Sequence, residues 1–372
     1  MRIADFTLEQ WLNPRDATAT YNLGASCVKA LHFDELFEVV GQDPDDFYRH
    51  QLRTMSLHYG DFFGLPQLRE AVAALYRDIG AHNVLTVHGG TGANNLVITE
   101  LLEPGDNVVA IVPNYQQHYA IPQALGAEVR FLRLREDNDY LPDPSELAEL
   151  VDSRTRLITM SNPNNPTGAY LGETALRELA DVAGDAWILS DEIYRGLDED
   201  YMPSIVDVCQ RGIATSSLSK VFSLAGTRLG WIVVNDALLR ERLENRRSYD
   251  TICCGPFDEL IAAIALENQE AILARSRAIV APGRAVFDQW LGTQPGLRTT
   301  PRSWSTTALV SYDYDLGAED LCRDVFETTG VLLCHGDCFD MPGTFRLGYG
   351  FGDNAHLAAG LDALGEHLAG LR

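Results

Sequence analysis

The sequence predicts an α/β protein: a large unit built on a mostly parallel sheet between helices, followed by a smaller α+β unit. Three observations lead there. The chain has 372 residues, more than one simple core usually holds, and 46% of them are hydrophobic. Between Val84 and Ser190, short apolar runs alternate with amphipathic stretches, the pattern of strands covered by helices on both faces. Near Trp290–Gly296 that rhythm changes.

The elements follow in order. Phe6–Leu12 is a short amphipathic segment, and Asn22–Cys27 is a turn in which Gly24 lets backbone approach a ligand. Leu31, Leu36, Val39 and Val40 have helical spacing. After the glycine-punctuated loop Tyr59–Gly64, Leu65 opens a helix with Pro66 in its first turn, running to about Gly80. Val84–Val87 is a strand, Gly89–Asn95 a glycine-rich turn and Leu96–Leu102 a helix. That succession aims free N–H groups and a positive helix end at an anion. It lacks the Gly-Lys-Ser/Thr of a P-loop, and by itself it is equally an ordinary tight turn. Strands follow at Asn107–Val112, Glu128–Leu134, Arg156–Met160 and Ala186–Ser190, with helices at Tyr119–Gly126, Pro144–Val151 and Thr174–Ala183. Gly212–Ser219 reads as strand running into a turn. Leu238–Arg247 and Phe257–Phe287 read as helices, the second with a break near Pro282. The smaller unit has strands at Thr306–Tyr312, Val331–Cys334 and Thr344–Tyr349 and a helix at Ala318–Thr328.

Composition excludes several function classes. With 29 Lys+Arg against 53 Asp+Glu, the net charge of -24 opposes nucleic-acid binding. The N-terminal residues lack the apolar segment of a signal peptide, and no run approaches the ~18 apolar residues of a membrane helix. The seven cysteines are scattered. Cys334-His-Gly-Asp-Cys338 has no second ligand pair, so it reads as reduced thiols in a cytoplasmic protein, not as a metal site.

The chemistry sits on loops at strand ends. The sequence has only two lysines, Lys29 and Lys220. Arginine cannot form a Schiff base; a lysine can, once deprotonated, and burial among small and apolar neighbours lowers the pKa of Lys220 toward that state. Arg228 offers a forked donor suited to a phosphate, and Ser217 and Ser219 add hydroxyls. Asp191 follows the apolar Trp187–Ser190 run. A buried carboxylate needs a cation, and a protonated pyridine nitrogen would serve; a cap on the following turn is the plainer role. Tyr194 stands three residues on. Asn162–Gly168 presents amide side chains, among them Asn165. Tyr115 is either an aromatic platform or a core tyrosine. Arg346, inside an apolar strand, needs an anion: a substrate α-carboxylate or a structural ion-pair partner.

Taken together, Ser161-Asn-Pro-Asn-Asn-Pro-Thr-Gly168, Asp191-Glu-Ile-Tyr194 and Ser217-Leu-Ser-Lys220 with Arg228 and Gly230 resemble the class I/II aminotransferase family, pyridoxal 5'-phosphate enzymes of fold type I. Order and spacing match over nearly the whole chain. The resemblance implies a large cofactor-binding domain at 46–284 and a small domain of 1–45 and 285–372. It implies that Lys220 joins the cofactor aldehyde as a Schiff base, Asp191 pairs the pyridine nitrogen, Tyr194 and Asn165 bond the ring oxygen, and Tyr115 stacks on the ring. Gly90, Thr91, Ser217 and Arg228 would hold the phosphate, and Arg346 the substrate carboxylate with help from the Gly24 backbone and Asn165. Tyr59 would reach the phosphate of a neighbouring subunit, since the family's sites form across a homodimer. The implied reaction is amino transfer on an α-amino acid, with Lys220 moving the α-proton. The sequence is also similar to a branch that dehydrates and cyclises hydroxylated arginines in specialised, antibiotic-type metabolism, the capreomycidine-synthase-like enzymes. Gly92 stands where the family often has Glu, Gly24–Lys29 matches no standard transaminase segment, and Glu9, Asp61 and the His118 region offer polar groups to a guanidinium.

Overall fold

The computed structural model describes residues 2–300 and 302–371. Thirteen strands are found among them: β1 (Tyr21–Asn22), β2 (Val84–Val87), β3 (Asn107–Val112), β4 (Glu128–Arg133), β5 (Thr155–Ser161), β6 (Trp187–Asp191), β7 (Gly212–Ser217), β8 (Gly230–Val234), β9 (Leu297–Thr299), β10 (Thr307–Tyr312), β11 (Val331–Leu332), β12 (Cys334–His335) and β13 (Thr344–Gly348).

Seven form one sheet in the order β2-β8-β7-β6-β5-β3-β4. All its pairings are parallel except those of β8, which runs antiparallel to both β2 and β7. Every residue of β3, β7 and β8 is buried, as expected for apolar runs covered on both faces. The register matters for function. Ser161 lies beside Asp191, and Asp191 beside Thr215, so the carboxyl ends of β5, β6 and β7 form one rim.

A second sheet, β12-β13-β10-β9, is antiparallel and sets Arg346 between Cys334 and Leu309. β1 pairs in parallel with β11, joining the two ends of the chain. Beside it, the Thr7–Asp16 helix buries Trp11, whose indole donates to the Leu333 carbonyl at 2.7 Å. Removing such a side chain costs about 3–5 kcal/mol. One apolar cluster joins this helix, β13 and the Asn354–Gly370 helix, while two others flank the large sheet.

Four expectations change. The helix opened at Pro66 ends at Ala73, well before Gly80. Arg195 takes the Leu75 carbonyl at 2.9 Å and lies over the Tyr76 ring, whose hydroxyl accepts from the Trp231 indole, so tertiary contacts end the helix. The long 257–287 helix breaks at Asn268, where the side chain caps the Ile264 carbonyl, and the Gln269–Leu291 helix runs through Pro282. Gly89–Asn95 is the start of the Gly89–Leu101 helix, not a loop. β8 and the Asn354–Gly370 helix lie in stretches to which the sequence reading assigned no element.

Candidate active site

A cavity of about 360 Å³ opens at the rim made by β5, β6 and β7. It is walled by the start of the Gly89–Leu101 helix, the Lys220 turn, segment 22–27, the Thr7–Asp16 helix and Arg346 on β13. Gly24, Gly90, Thr91, Tyr115, Asn165, Asp191, Tyr194, Lys220, Arg228 and Arg346 all line it.

At one end stands Arg228, exposed, with φ of 50° and Nη1 donating to the Ala225 carbonyl at 2.8 Å. It faces Gly89, whose φ of +68° suits glycine, and a Cβ there would meet Arg228 Nη2 at 2.8 Å. The helix thus begins against a guanidinium, with Gly90 and Thr91 in the cavity wall. Ser217 is fully buried behind them and its hydroxyl accepts from the Ser219 N–H at 3.1 Å, so it lies next to the cavity rather than in its lining.

Asp191 ends β6 at 6% exposure. Its Oδ1 accepts from the Ile193 N–H at 3.2 Å, the turn-capping role, while Oδ2 accepts from Asn94 Nδ2 at 2.7 Å. Among the described residues no Lys or Arg comes within ion-pair distance; the nearest base is His118, with Nε2 3.8 Å from Oδ2. His118 is wholly buried and neither ring nitrogen has a hydrogen-bond partner among the described residues. Thr215 donates to Asn94 Oδ1 at 2.6 Å and fixes that amide's orientation.

The Asn162–Gly168 loop is buried, not a surface turn. Asn162 bonds both backbone groups of Leu171, and Asn164 bonds the Pro113 carbonyl and Thr167, so these two side chains build the loop. Asn165 Oδ1 is left to accept from Arg346 Nη1 at 3.0 Å. Arg346, 1% exposed, also donates from Nη2 to the Gly24 carbonyl at 2.8 Å. Its Nε has no hydrogen-bond partner, and no carboxylate is within ion-pair distance among the described residues. The structural ion pair is therefore not what holds it.

Lys220 Nζ donates to Ser26 Oγ at 2.9 Å and to Cys27 Sγ at 3.4 Å. Burial pulls the ammonium's pKa down, but the lowering expected from the sequence is overturned. The Tyr194 phenol and Cys27 thiol outweigh that pull against the opposing charge of Arg346, so the net direction is up. Tyr115 donates from its hydroxyl to Glu9 Oε1 at 2.9 Å and packs on Phe6. Burial, then the Glu9 carboxylate, holds its phenol well above the usual range, so it stays a neutral donor.

The other polar groups separate. Glu9 lines the cavity and is joined by Asp16, two turns along the same helix face. Asp61 does not line it: it caps Phe63 in an exposed loop. His118 lies beneath Asp191. Tyr59 is 63% exposed and away from this cavity. Asn94, Thr215, Asp16, Ser26 and Cys27 were not singled out as site residues. Asn94 was within reach, since Gly90, Thr91 and Asn94 share one face once the helix starts at Gly89.

Comparison with known proteins agrees with this geometry. The family model for "aminotransferase class I and II" matches residues 22–364. Capreomycidine synthase of Streptomyces vinaceus is 31% identical over 367 residues, 97% of this chain and 93% of that protein. Arginine–pyruvate transaminase AruH of Pseudomonas aeruginosa is 30% identical over 305 residues, 78% of this chain and 77% of its own. A PLP-dependent aminotransferase from Streptococcus suis superposes with a TM-score of 0.96 at 38% identity, covering 100% of this chain and 99% of that one. The PLP-dependent cyclase OrfR superposes at 0.90 with 26% identity, covering 100% and 98%. The chain belongs to the class I and II aminotransferases, enzymes that use pyridoxal phosphate.

Proposed function

We propose that this aminotransferase-family enzyme acts at the α-carbon of an amino acid, with Lys220 as its reactive amine, and transfers the amino group to a 2-oxo acid. One observation carries the reading. Lys220, Arg228 and Arg346 line a single cavity without a carboxylate partner among the described residues, in a chain of net charge -24, beside an Asp191 that has no cation.

The residues fit pyridoxal phosphate by their own chemistry. When bound, that cofactor supplies an aldehyde that condenses with amines and a ring that accepts electrons released at the α-carbon. Arg228, with Gly90 and Thr91 at the helix start and Ser217 behind them at the end of β7, would hold the phosphate. Asp191, fixed by Asn94 and backed by His118, keeps the ring nitrogen protonated. Tyr194 and Asn165 donate to the ring oxygen; Asn165 has its Nδ2 free because Oδ1 serves Arg346. Tyr115 supports the ring face. Arg346, with the Gly24 carbonyl and Asn165 as its rests, takes the substrate carboxylate. Lys220 Nζ removes the α-proton and returns it.

A second reading, loss of water followed by ring closure on a hydroxylated arginine, draws on Glu9 and Asp16 in the cavity wall. Two carboxylates there suit a guanidinium, and 31% identity to capreomycidine synthase along 97% of the chain favours the same branch.

The division at 46–284, against 1–45 with 285–372, is supported by the separate apolar clusters, except that Leu36, Phe37 and Leu309 pack with the large-sheet cluster and Val280 with the other. A homodimer is supported by Leu57, Tyr59, Phe62, Phe63, Tyr249 and Phe257, all exposed. The two stretches meet, since Gly60 abuts the Cys254 carbonyl and Pro256. Tyr59 would act from this face in the partner's site. Seven free thiols suit the cytoplasm.

Borohydride reduction with pyridoxal phosphate should fix the cofactor on Lys220; a reduced adduct absent there refutes the reading. Amino acids, arginine and hydroxyarginine among them, are then offered with and without a 2-oxo acid. Product requiring the acceptor supports transfer; product lacking water and formed without acceptor supports the cyclase. Sedimentation tests the dimer.

A further inference from the structure

Segment 22–29 passes both ends of the substrate region. Its Gly24 carbonyl receives Arg346, and two residues on, Ser26 and Cys27 receive the amine of Lys220. The geometry points to Ser26 and Cys27 as positioning residues that seat the Lys220 amine whenever it is not joined to cofactor. The inference rests on the reading of Lys220 as the reactive amine.

The segment is built to hold still. Leu23 accepts from Gly348 N–H at 2.7 Å, Ser26 from Thr306 Oγ1 at 2.7 Å, and the Lys220 carbonyl from Val28 N–H at 3.3 Å. Lys29 N–H reaches Gly350 at 2.9 Å and Leu31 N–H reaches Ser223 at 3.0 Å. These bonds tie the segment to β13, to the turn that carries Lys220 and to the chain after each. Ser26 is 8% exposed, so its hydroxyl has little water to turn toward. Gly348 has no room for a side chain, because a Cβ there would sit 1.9 Å from the Ala25 carbonyl oxygen.

The stoichiometry of donors gives the seat its meaning. With its pKa raised, Lys220 rests as an ammonium with three N–H bonds; once it gives up one proton, the neutral amine has two N–H bonds and one lone pair. With both N–H bonds given to Ser26 and Cys27, the lone pair is the only part left to face the cavity. That is the orientation a base needs, and it removes rotational freedom that would otherwise be lost at the reacting step. Cys27 adds an electrostatic part. Burial lowers the amine's pKa, Tyr194 and then Cys27 raise it, and Arg346 lowers it. Cys27 is half-buried and lines the cavity, whereas Cys253, Cys254, Cys322, Cys334 and Cys338 are buried.

The test follows the amine itself. The full chain, stripped of cofactor, is mixed with pyridoxal phosphate in a stopped-flow instrument, and imine formation is recorded against pH. With only two lysines, a Lys220→Ala chain gives the background from Lys29 and the N-terminus. Cys27→Ala is expected to move the midpoint to lower pH, because a neighbour that raises the amine's pKa is removed. Cys27→Ala with Ser26→Ala should also lower the high-pH plateau about tenfold, as the amine is no longer oriented. Cys27→Ser should restore the plateau but not the midpoint, which a merely structural role would not separate. Midpoint and plateau both unchanged in the double variant would overturn the inference. If the double variant does not fold, the midpoint of Cys27→Ser alone decides, and an unshifted midpoint overturns it. Failure of the underlying reading looks different: the unaltered chain would then form no imine at Lys220.

Discussion

Gly348→Ala perturbs the site without touching any group that reacts. The new Cβ would lie 1.9 Å from the Ala25 carbonyl oxygen and 3.1 Å from its carbon, about 1.5 Å inside ordinary contact, and both partners are backbone. No side chain can rotate away, so β13 and segment 23–27 must part. Overpacking of this kind costs about 1–3 kcal/mol. The Gly348 N–H bond to Leu23, 2.7 Å long, is stretched or lost, which adds about 1–2 kcal/mol. The expected destabilisation is about 2–5 kcal/mol, or roughly 3–6 °C in melting temperature for a chain of this size. The catalytic effect should be larger than the stability effect suggests. Displacement of the segment moves the Gly24 carbonyl from Arg346 and moves Ser26 and Cys27 from Lys220 together. A misplacement near 1 Å costs about 10²-fold in kcat/KM. Thermal unfolding and steady-state kinetics on the purified variant measure the two. A melting temperature within a degree of the parent and kcat/KM within twofold would refute the argument that this backbone contact positions the site.

Arg346→Lys keeps the charge but replaces a fork by a point, so KM for the amino acid should rise about 10- to 100-fold with a smaller change in kcat; equal loss in both would argue against carboxylate binding. Asp191→Asn preserves shape, so cofactor absorbance should persist while kcat falls at least about 10²-fold, measured by single-turnover spectroscopy. Glu9→Gln with Asp16→Asn should raise KM about tenfold or more for a guanidinium-bearing substrate and leave a neutral one unaffected; an indifferent ratio removes the case for a cationic side chain. His335, packed edge-on to Trp11 with its centroid at 4.6 Å, has its pKa lowered by burial, with Asp337 opposing. Its neutral form is favoured by folding, so stability is complete above the unfolded value near 6.5 and is lost as pH falls through the lower folded value. Thermal melts from pH 8 to 5 should show this decline, and His335→Phe should flatten it.

The sheet was legible because β3 carries the apolar run Val108–Val112 and β5 and β6 carry shorter ones, and Lys220 stood out through the scarcity of lysine. Asp191 was legible as a strand-end acid: one oxygen takes the turn-capping N–H, the plainer of its two candidate roles, and the other takes the Asn94 amide. β8 escaped because its five residues follow closely on the Lys220 turn, and an antiparallel intruder leaves no mark on an otherwise parallel pattern. The Asn354–Gly370 helix carries Gly360 and Gly365, residues that weaken a local helix signal. In the structure they are sites of close packing, against Tyr21 and against Gln294 and Trp290. The helix after Pro66 and the break at Asn268 depend on side chains far away in sequence, which local propensity does not contain. Likewise the direction of the Lys220 pKa turned on Tyr194 and on Cys27, the latter brought beside it from 193 residues away.

The pairing of Tyr21 with Val331 has a consequence during synthesis. A ribosome adding about 5–20 residues per second needs roughly 15–60 s to travel between them. For that interval the opening thirty residues, amphipathic helix included, have emerged without the strand that receives them. Deletions at the far end of the gene should therefore expose the near end to proteases.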